Sequence, residues 1–384
     1  MPIAARRAYL SAIVLRYKES SKAAKKHILD EFCANCGYTR KHAIRILNRP
    51  LSAKVKRPGP KPKYLEALVA LRELWELMGQ ICSKKMRAAF PLWLPFYRCP
   101  DRVTELLLKM SPSTIDRLLK PHRARLMGKG LSTTRPSGWV KAKIPLKLLD
   151  GEVKVPGYME VDTVAHCGNS TAGEYVNSLT VTDLFSGWTE LRAAWTKKSE
   201  LIVTAGKKIE NRLPFSLVGV ASDNGSEFLN DEFYRWLNER DAPVNFVRRR
   251  PYKKNDNAHV EQKNWTHVRQ LFGYERFDDP DLVPVMNEIY QAYWCPLWNL
   301  YTPVLKLKAK ERIGGRVRKH YDEPRTPAQR LLASPLVPNV DKSRIKDMLS
   351  SKNPIDLKRR LDQRLKEFFE MVDKKRRERR STGS

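Results

Sequence analysis

Between residues 156 and 248 the hydrophobic pattern changes its period. GYMEVDTVAHCG, EYVNSLTVTDLFSGW and TELRAAWT are three β-rich runs separated by turn residues, the pattern of an antiparallel meander. KSELIVTAGKKIENRL has a helical pattern, FSLVGVASDNG is an apolar strand ending in a turn, DEFYRWLNERD is a second helix and APVNFVR another short strand. RRRPYKKNDN reads as a loop and AHVEQKNWTHVRQLFG as a helix. The order βββαβαβα requires a mixed α/β sheet with helices on its faces, here over residues 156–275.

Ahead of that core the chain is helical. Ser20 or Ser21 is placed to cap a helix through AAKKHILDEFCANC, Gly37 breaks it, and Thr39 caps a second helix, RKHAIRILN. A helix, a short Gly-containing turn and a basic helix is the helix-turn-helix pattern, although any small helical hairpin shares it. In it Arg40, Lys41 and Arg45 face DNA while Ala43, Ile44 and Leu47 pack. Residues 1–50 are read as this domain. Residues 51–64 follow as a basic, proline-containing linker, either a plain spacer or an arm along a DNA groove, with Arg57, Lys61 and Lys63 reaching phosphates. Residues 65–126 read as a second helical DNA-binding domain: Leu65, Leu68, Leu71, Trp75 and Met78 recur at helical spacing. A later helix, capped by Ser113, presents Arg117, Lys120, Arg123 and Arg125. Residues 127–155 read as a linker.

The charge is distributed to match. Of the 384 residues, Met1–Asp150 holds 32 Lys/Arg against 10 Asp/Glu, Gly151–Glu275 holds 16 against 17, and Arg276–Ser384 holds 25 against 15. A near-neutral middle is flanked by basic arms, which points to a polyanionic partner; a solvated basic surface is the plainer alternative. Residues 276–384 are read as a basic C-terminal region, with a helix from about Pro354 that either holds DNA non-specifically or frays. No apolar stretch is long enough to span a membrane, and six scattered cysteines suggest a reducing compartment, so a cytoplasmic location is expected.

Three acids stand at the ends and edges of the core elements. Asp162 lies in the first strand, Asp223 follows the apolar strand, and Glu261 lies in the first turn of the last helix. Singly each has a plain reading: a polar strand edge, a turn residue, a favourable charge near a helix N-terminus. Together they are harder to set aside. Ala258, Glu261, Trp265, Val268 and Phe272 recur at steps of three and four, which places Glu261 on an apolar stripe. A carboxylate there is costly to bury unless compensated, and a divalent cation compensates it; carboxylate oxygens suit Mg²⁺ or Mn²⁺.

Residues 157–273 resemble the catalytic core of retroviral integrases and integrase-like (DDE superfamily) bacterial insertion-sequence transposases. The resemblance lies in VDTV at 161–164, SDNGSEF at 222–228 and NDNAHVEQKNWTHVR at 255–269. The 37 residues between Asp223 and Glu261 make a slightly longer gap than the family's pattern. YTPVLKLKAKERIGGRVRKHYDEPRTPAQRLLAS and GYTRKHAIRIL also resemble parts of these transposases, so the likeness runs to about Ser334. It implies a ribonuclease-H-like catalytic core, with Asp162, Asp223 and Glu261 as catalytic ligands of two Mg²⁺ (or Mn²⁺) ions. Asn224 and Gly225 would shape the turn beside Asp223. Lys253, Lys254, Asn255 and Asn257 would lie near transposon-end or target DNA, and Lys263 and Arg269 would contact phosphates, although a solvated face serves equally for the last two. Asp256 rivals Glu261 but is off the stripe; Asp183 reads as a strand-end residue and Glu227 as helix N-terminal.

The implied partners are double-stranded DNA and further copies of the chain, as a dimer or higher oligomer on DNA, in a bacterial cytoplasm and at the nucleoid when bound. The alternatives are another ribonuclease-H-like nuclease, acting on RNA–DNA hybrid or junctions, and a domesticated DNA-binding protein with an inactive core. Cys33 and Cys36 form a C-x-x-C between His27 and His42, but order and spacing differ from the integrase zinc domain, and two small apolar residues at a helix end suffice. No Walker-type phosphate loop is present.

Overall fold

The computed structural model describes residues 1–48, 63–126, 153, 155–222, 228, 230–248 and 263–382. By contacts the chain forms two compact units, Met1–Lys63 and Tyr64–Ser384.

The first unit holds α1 (Ile3–Glu19), α2 (Lys22–Cys36) and α3 (Arg40–Leu47). The Ser21 hydroxyl caps α2 by accepting from the Ala24 N–H. Gly37 ends α2 at φ +66, a conformation open to a residue without Cβ, and its N–H donates to the Cys33 carbonyl. Ile13, Tyr17, Ile28, Leu29, Phe32, Cys36, Ala43 and Leu47 form the core. Ile44, expected to pack, is 39% exposed. Ala43 and Leu47 are one helical turn apart and take the inner face, which leaves their neighbour outside.

The second unit opens with four helices, α4 (Leu68–Leu77), α5 (Ser83–Trp93), α6 (Asp101–Lys109) and α7 (Pro112–Leu126). Residues 65–126, read in the sequence as a domain of their own, share a core with the sheet that follows. The Trp93 indole donates to the Tyr301 carbonyl at 3.0 Å as part of that joint. Leu71, Trp75 and Met78 are buried as expected, whereas Leu65 lies ahead of α4 and is exposed. The cap of α7 is Ser111 rather than Ser113: its hydroxyl accepts from the Thr114 N–H at 3.2 Å.

The sheet comprises β1 (Tyr158–Ala165), β2 (Val176–Asp183), β3 (Thr189–Trp195), β4 (Gly219–Ser222) and β5 (Asn245–Arg248), in spatial order β3-β2-β1-β4-β5. β1, β2 and β3 pair antiparallel; β4 and β5 run parallel to β1. The parallel pairings need crossovers, supplied by α8 (Ser199–Glu210) before β4 and α9 (Asp231–Asn238) before β5. Gly206 lets these two helices approach; a Cβ there would sit 2.5 Å from the Trp236 ring. The βββαβαβα expectation therefore matches the observed order, and β2 is buried along its whole length.

Three further elements position the site. α10 is a π-helical turn, Asn264–Arg269, continuing into Gln270–Phe272. α11 runs through Leu282–Glu288, a π-turn Ile289–Trp294, and Cys295–Tyr301. The Asn287 and Asn299 amides of α11 each exchange two hydrogen bonds with the backbone of β3, at Ala193 and Thr189. They occupy backbone groups that an edge strand otherwise leaves open. A ribbon of β6 (Leu307–Ile313) and β7 (Arg316–Tyr321) follows, then α12 (Pro327–Ala333), α13 (Asn339–Ser350) and α14 (Pro354–Thr382).

α14 does not fray from its start near Pro354. Leu361, Phe368 and Val372 are buried, and the Phe368 ring meets Phe272 and Phe277 at 5.0 and 5.2 Å between centroids. Its cations pair with acids between residues 275 and 288: Arg364 with Glu288, Lys375 with Asp279 and Asp281, Arg376 with Glu275, Arg379 with Asp278. No helix among the described residues is long and apolar enough to cross a membrane.

Candidate active site

Asp162 stands on β1, the central strand, between β2 and β4. Its neighbours Val161 and Val164 are buried, while Asp162 itself is half-buried. Its Oδ1 accepts the Thr163 N–H at 2.8 Å, and its Oδ2 accepts the Asn264 side-chain amide at 2.6 Å. These bonds hold the carboxylate in place, and carboxylate oxygens are the ligand type that suits a hard cation.

The parallel register pairs Val161 of β1 with Ser222 of β4. Asp162 follows the first of these residues in sequence and Asp223 the second. Asp223 and Glu261 themselves lie outside the described residues, as do Asn224, Gly225, Glu227, Lys253, Lys254, Asn255, Asp256 and Asn257. Among the described residues no group of three His, Cys, Asp or Glu side chains is placed to share an ion.

The helix after Glu261 departs from the expected stripe. Val268 and Phe272 are fully buried, but Trp265 is 51% exposed. A π-turn has more residues per turn than an α-helix, so the step of three and four no longer keeps one face. Trp265 is therefore off the apolar stripe, and Ala258 and Glu261 lie outside the described residues. Asn264, which the sequence reading did not single out, supplies instead a direct contact to Asp162.

Lys263 and Arg269, expected on phosphates, make contacts within the protein. Arg269 donates to the Ala165 carbonyl at 3.0 Å and lies 4.7 Å from the Tyr274 ring centroid. Lys263 donates to the Gly187 carbonyl at 3.4 Å and sits 5.1 Å from the Trp298 ring centroid. Burial, with Lys85 and Lys306 nearby, brings the Lys263 ammonium down to about 7. His267 is buried; its Nδ1 accepts from the Trp294 indole at 2.8 Å.

The remaining basic candidates are on the surface. In the first unit Arg40 is exposed and paired with Asp30, Lys41 is exposed, and Arg45 lies 3.0 Å from His42 Nδ1. Lys63 is exposed, whereas Arg57 and Lys61 lie outside the described residues. Arg117 and Lys120 are exposed on α7; Arg123 pairs with Asp116 at 2.7 Å. Cys33 and Cys36 are free thiols, half-buried and buried. Asp183 ends β2 as read from the sequence, but it is fully buried and accepts hydrogen bonds from Gly157 and Ser186.

No family model matches the sequence. A protein of Sinorhizobium fredii (strain NBRC 101917 / NGR234), y4rM, described as uncharacterized, is 38% identical over 339 residues, spanning 85% of this chain and 95% of the relative. The chain belongs to the y4rM family. Solved structures similar to this y4rM-family chain include the catalytic core domain of BIV integrase, at 14% identity, TM-score 0.25, 31% of this chain and 70% of that one. A second is a chain of the simian T-cell lymphotropic virus intasome in complex with PP2A regulatory subunit B56 gamma, at 16% identity, TM-score 0.29, 48% of this chain and 60% of that one. A third is the HTLV-2 integrase catalytic core domain in complex with magnesium (dimeric form), at 18% identity, TM-score 0.29, 39% of this chain and 91% of that one. Strand order and register define the fold of the y4rM-family core independently of these alignments.

Proposed function

We propose that the protein is a DNA transposase of the integrase-like type. It would bind the terminal inverted repeats of an element, cleave its ends to leave 3′-hydroxyls, and join those hydroxyls to target DNA. The observation that carries this reading is the setting of Asp162. It lies on the central strand, oriented by Asn264, one residue beyond the Val161–Ser222 pair that Asp223 also follows. Glu261 precedes Asn264 by three positions in sequence. VDTV, SDNGSEF and the run around Glu261 would act together in this reading.

Asp162, Asp223 and Glu261 would hold two Mg²⁺ (or Mn²⁺) ions. When bound, such ions stabilise the attacking and leaving oxygens of an in-line phosphoryl transfer. In the first step water replaces the 3′-oxygen at phosphorus, leaving a 3′-hydroxyl on the element end and a 5′-phosphate on the other strand segment. In the second step that hydroxyl attacks a target phosphodiester, whose own 3′-oxygen leaves. Asn264 would keep the Asp162 carboxylate in one orientation through both.

Arg40, Lys41 and Arg45 of the trihelical unit, with Arg57, Lys61 and Lys63 after it, would read or hold the element ends as a helix-turn-helix and arm; Arg117 and Lys120 would add phosphate contacts. Lys253, Lys254, Asn255 and Asn257 would lie by the DNA near Glu261. Two ends must meet, so a dimer or larger assembly on DNA in the bacterial cytoplasm is the proposed working form.

The test is a labelled duplex carrying the DNA that flanks the gene, incubated with full-length protein and Mg²⁺. End cleavage and joining are expected, with Glu261→Gln retaining DNA binding and losing both. Cleavage of RNA–DNA hybrid without joining would assign the chain to another nuclease class. Binding without any metal-dependent chemistry would leave a DNA-binding protein only.

A further inference from the structure

Lys85 of α5, Lys263 at the start of α10 and Trp298 of α11 line a cavity of about 120 Å³, closed on another side by Gly187 of the β2–β3 turn and by Lys306. Three properties set it apart. The first is charge. The Lys85 and Lys263 ammoniums lie 5.8 and 5.1 Å from the Trp298 ring centroid, and neither forms an ion pair among the described residues. Lys306 donates to the Leu184 carbonyl at 2.6 Å and to that of Phe185. The carboxylate in the wall, Asp183, is buried and already accepts from the Gly157 N–H and from the N–H and hydroxyl of Ser186.

The second is burial. Lys85 and Lys263 are half-buried, and half-buried cations without an ion-pair partner are costly to hold. The third is room. One water needs roughly 10–15 Å³ of such volume, so about 120 Å³ accepts a tetrahedral oxyanion with water to spare. Water alone satisfies the N–H groups but leaves the charge uncompensated; an apolar occupant satisfies neither.

We propose that this cavity is a binding site for a phosphate-type oxyanion, held between Lys85 and Lys263. Two ammonium donors suit a tetrahedral anion, whose oxygens accept from several directions. The occupant is either free orthophosphate or a backbone phosphate of a nucleic acid strand. The site rests on the cavity alone and does not require the proposed carboxylate trio to be active.

The experiment uses the full chain and three variants, Lys85→Met, Lys85→Arg and Lys263→Met. Inorganic phosphate is titrated by calorimetry against chloride at matched ionic strength, and a short duplex is titrated by fluorescence anisotropy over a range of salt. One saturable phosphate site in the wild type, weakened at least about tenfold in Lys85→Met (1.4 kcal/mol) and retained in Lys85→Arg, supports the site with free phosphate as occupant. No binding of free phosphate, but a duplex salt slope reduced by about 0.9 in Lys85→Met, supports a backbone phosphate. Lys263→Met removes the other ammonium and covers the case in which Lys85→Met does not fold; a several-fold loss for the same probe is expected. Wild-type affinity for both probes in the folded variants overturns the proposal.

Discussion

Asn264 donates its side-chain amide to Oδ2 of Asp162 at 2.6 Å, joining positions 102 residues apart in sequence. Loss of a partner that orients a metal-binding carboxylate typically costs roughly 10- to 100-fold in activity or metal affinity. Asn264→Ala is therefore expected to slow end cleavage by about that factor and to raise the Mg²⁺ concentration for half-maximal rate, with duplex affinity unchanged. Initial rates across a Mg²⁺ series, beside anisotropy on the same DNA, measure both. An unchanged Mg²⁺ dependence would remove Asn264 from the site.

Stability should fall on acidification through a histidine. His166 is fully buried, stacked on Phe277 at 5.0 Å, with Nε2 2.9 Å from the Ser178 hydroxyl. Burial, helped by the Arg269 charge, brings it from 6.5 down to about 3. Between those values the unfolded chain binds the proton and the folded chain does not. Its contribution is thus complete above about pH 6.5 and lost as pH falls toward 3, at about 1.4 kcal/mol per pH unit. His267 is displaced the same way, while the carboxyls of Asp183 and Glu190 are raised by burial and act oppositely. The difference between wild type and His166→Gln isolates the term: denaturant melts at pH 4, 5, 6 and 7 should converge toward low pH. Parallel profiles would refute it.

The β6–β7 ribbon pairs Lys310 directly with Lys319. Arg312, two residues along, shares their face opposite Val317, so that face holds three cations and no carboxylate. Glu311 lies on the other face with His320, 3.2 Å away. Like charges directly opposed cost stability, roughly 0.2–1 kcal/mol relative to a favourable pair. Lys319→Glu should raise the melting temperature slightly while weakening duplex binding and lowering its salt slope by about 0.9. Undiminished affinity would place the ribbon away from DNA.

The last helix offers a contrast between packing and charge. Phe368 is fully buried among Phe272, Phe277 and Phe369, so Phe368→Ala should cost about 3–5 kcal/mol. Arg379 pairs with Asp278 on a side chain 47% exposed, and Arg379→Ala should cost under about 1 kcal/mol. Urea melts of the two variants measure the ratio; equal costs would mean that α14 is held by its ion pairs.

Much of the core was legible because its period is local. The runs around Val161, Leu179 and Leu191 alternate or stay apolar over strand lengths, and the intervening helices repeat every three to four residues. The position of β1 at the centre was not, since parallel pairing with β4 depends on a crossover rather than on any residue of β1. Trp265 misled because a π-turn alters the phase that a stripe assumes. The tail misled for the converse reason: KKRRERR reads as a DNA-holding or fraying end until Asp278, Asp279 and Asp281, a hundred residues earlier, are brought against it. The place of Asp162 on the first strand was legible and its partner Asn264 was not, because an amide with no periodicity carries no local signal.

The placement of α14 also dictates when the second unit can finish folding. Synthesis proceeds from the N-terminus, so Phe272 and Phe277 exist long before Phe368 is made. Until then a partly built chain presents aromatic rings with no cover, the state in which chaperones and proteases act. The sheet can form early, but the unit becomes whole only once Phe368 has been made. A chain arrested ahead of Phe368 should be cut rapidly by protease under conditions where the full chain resists.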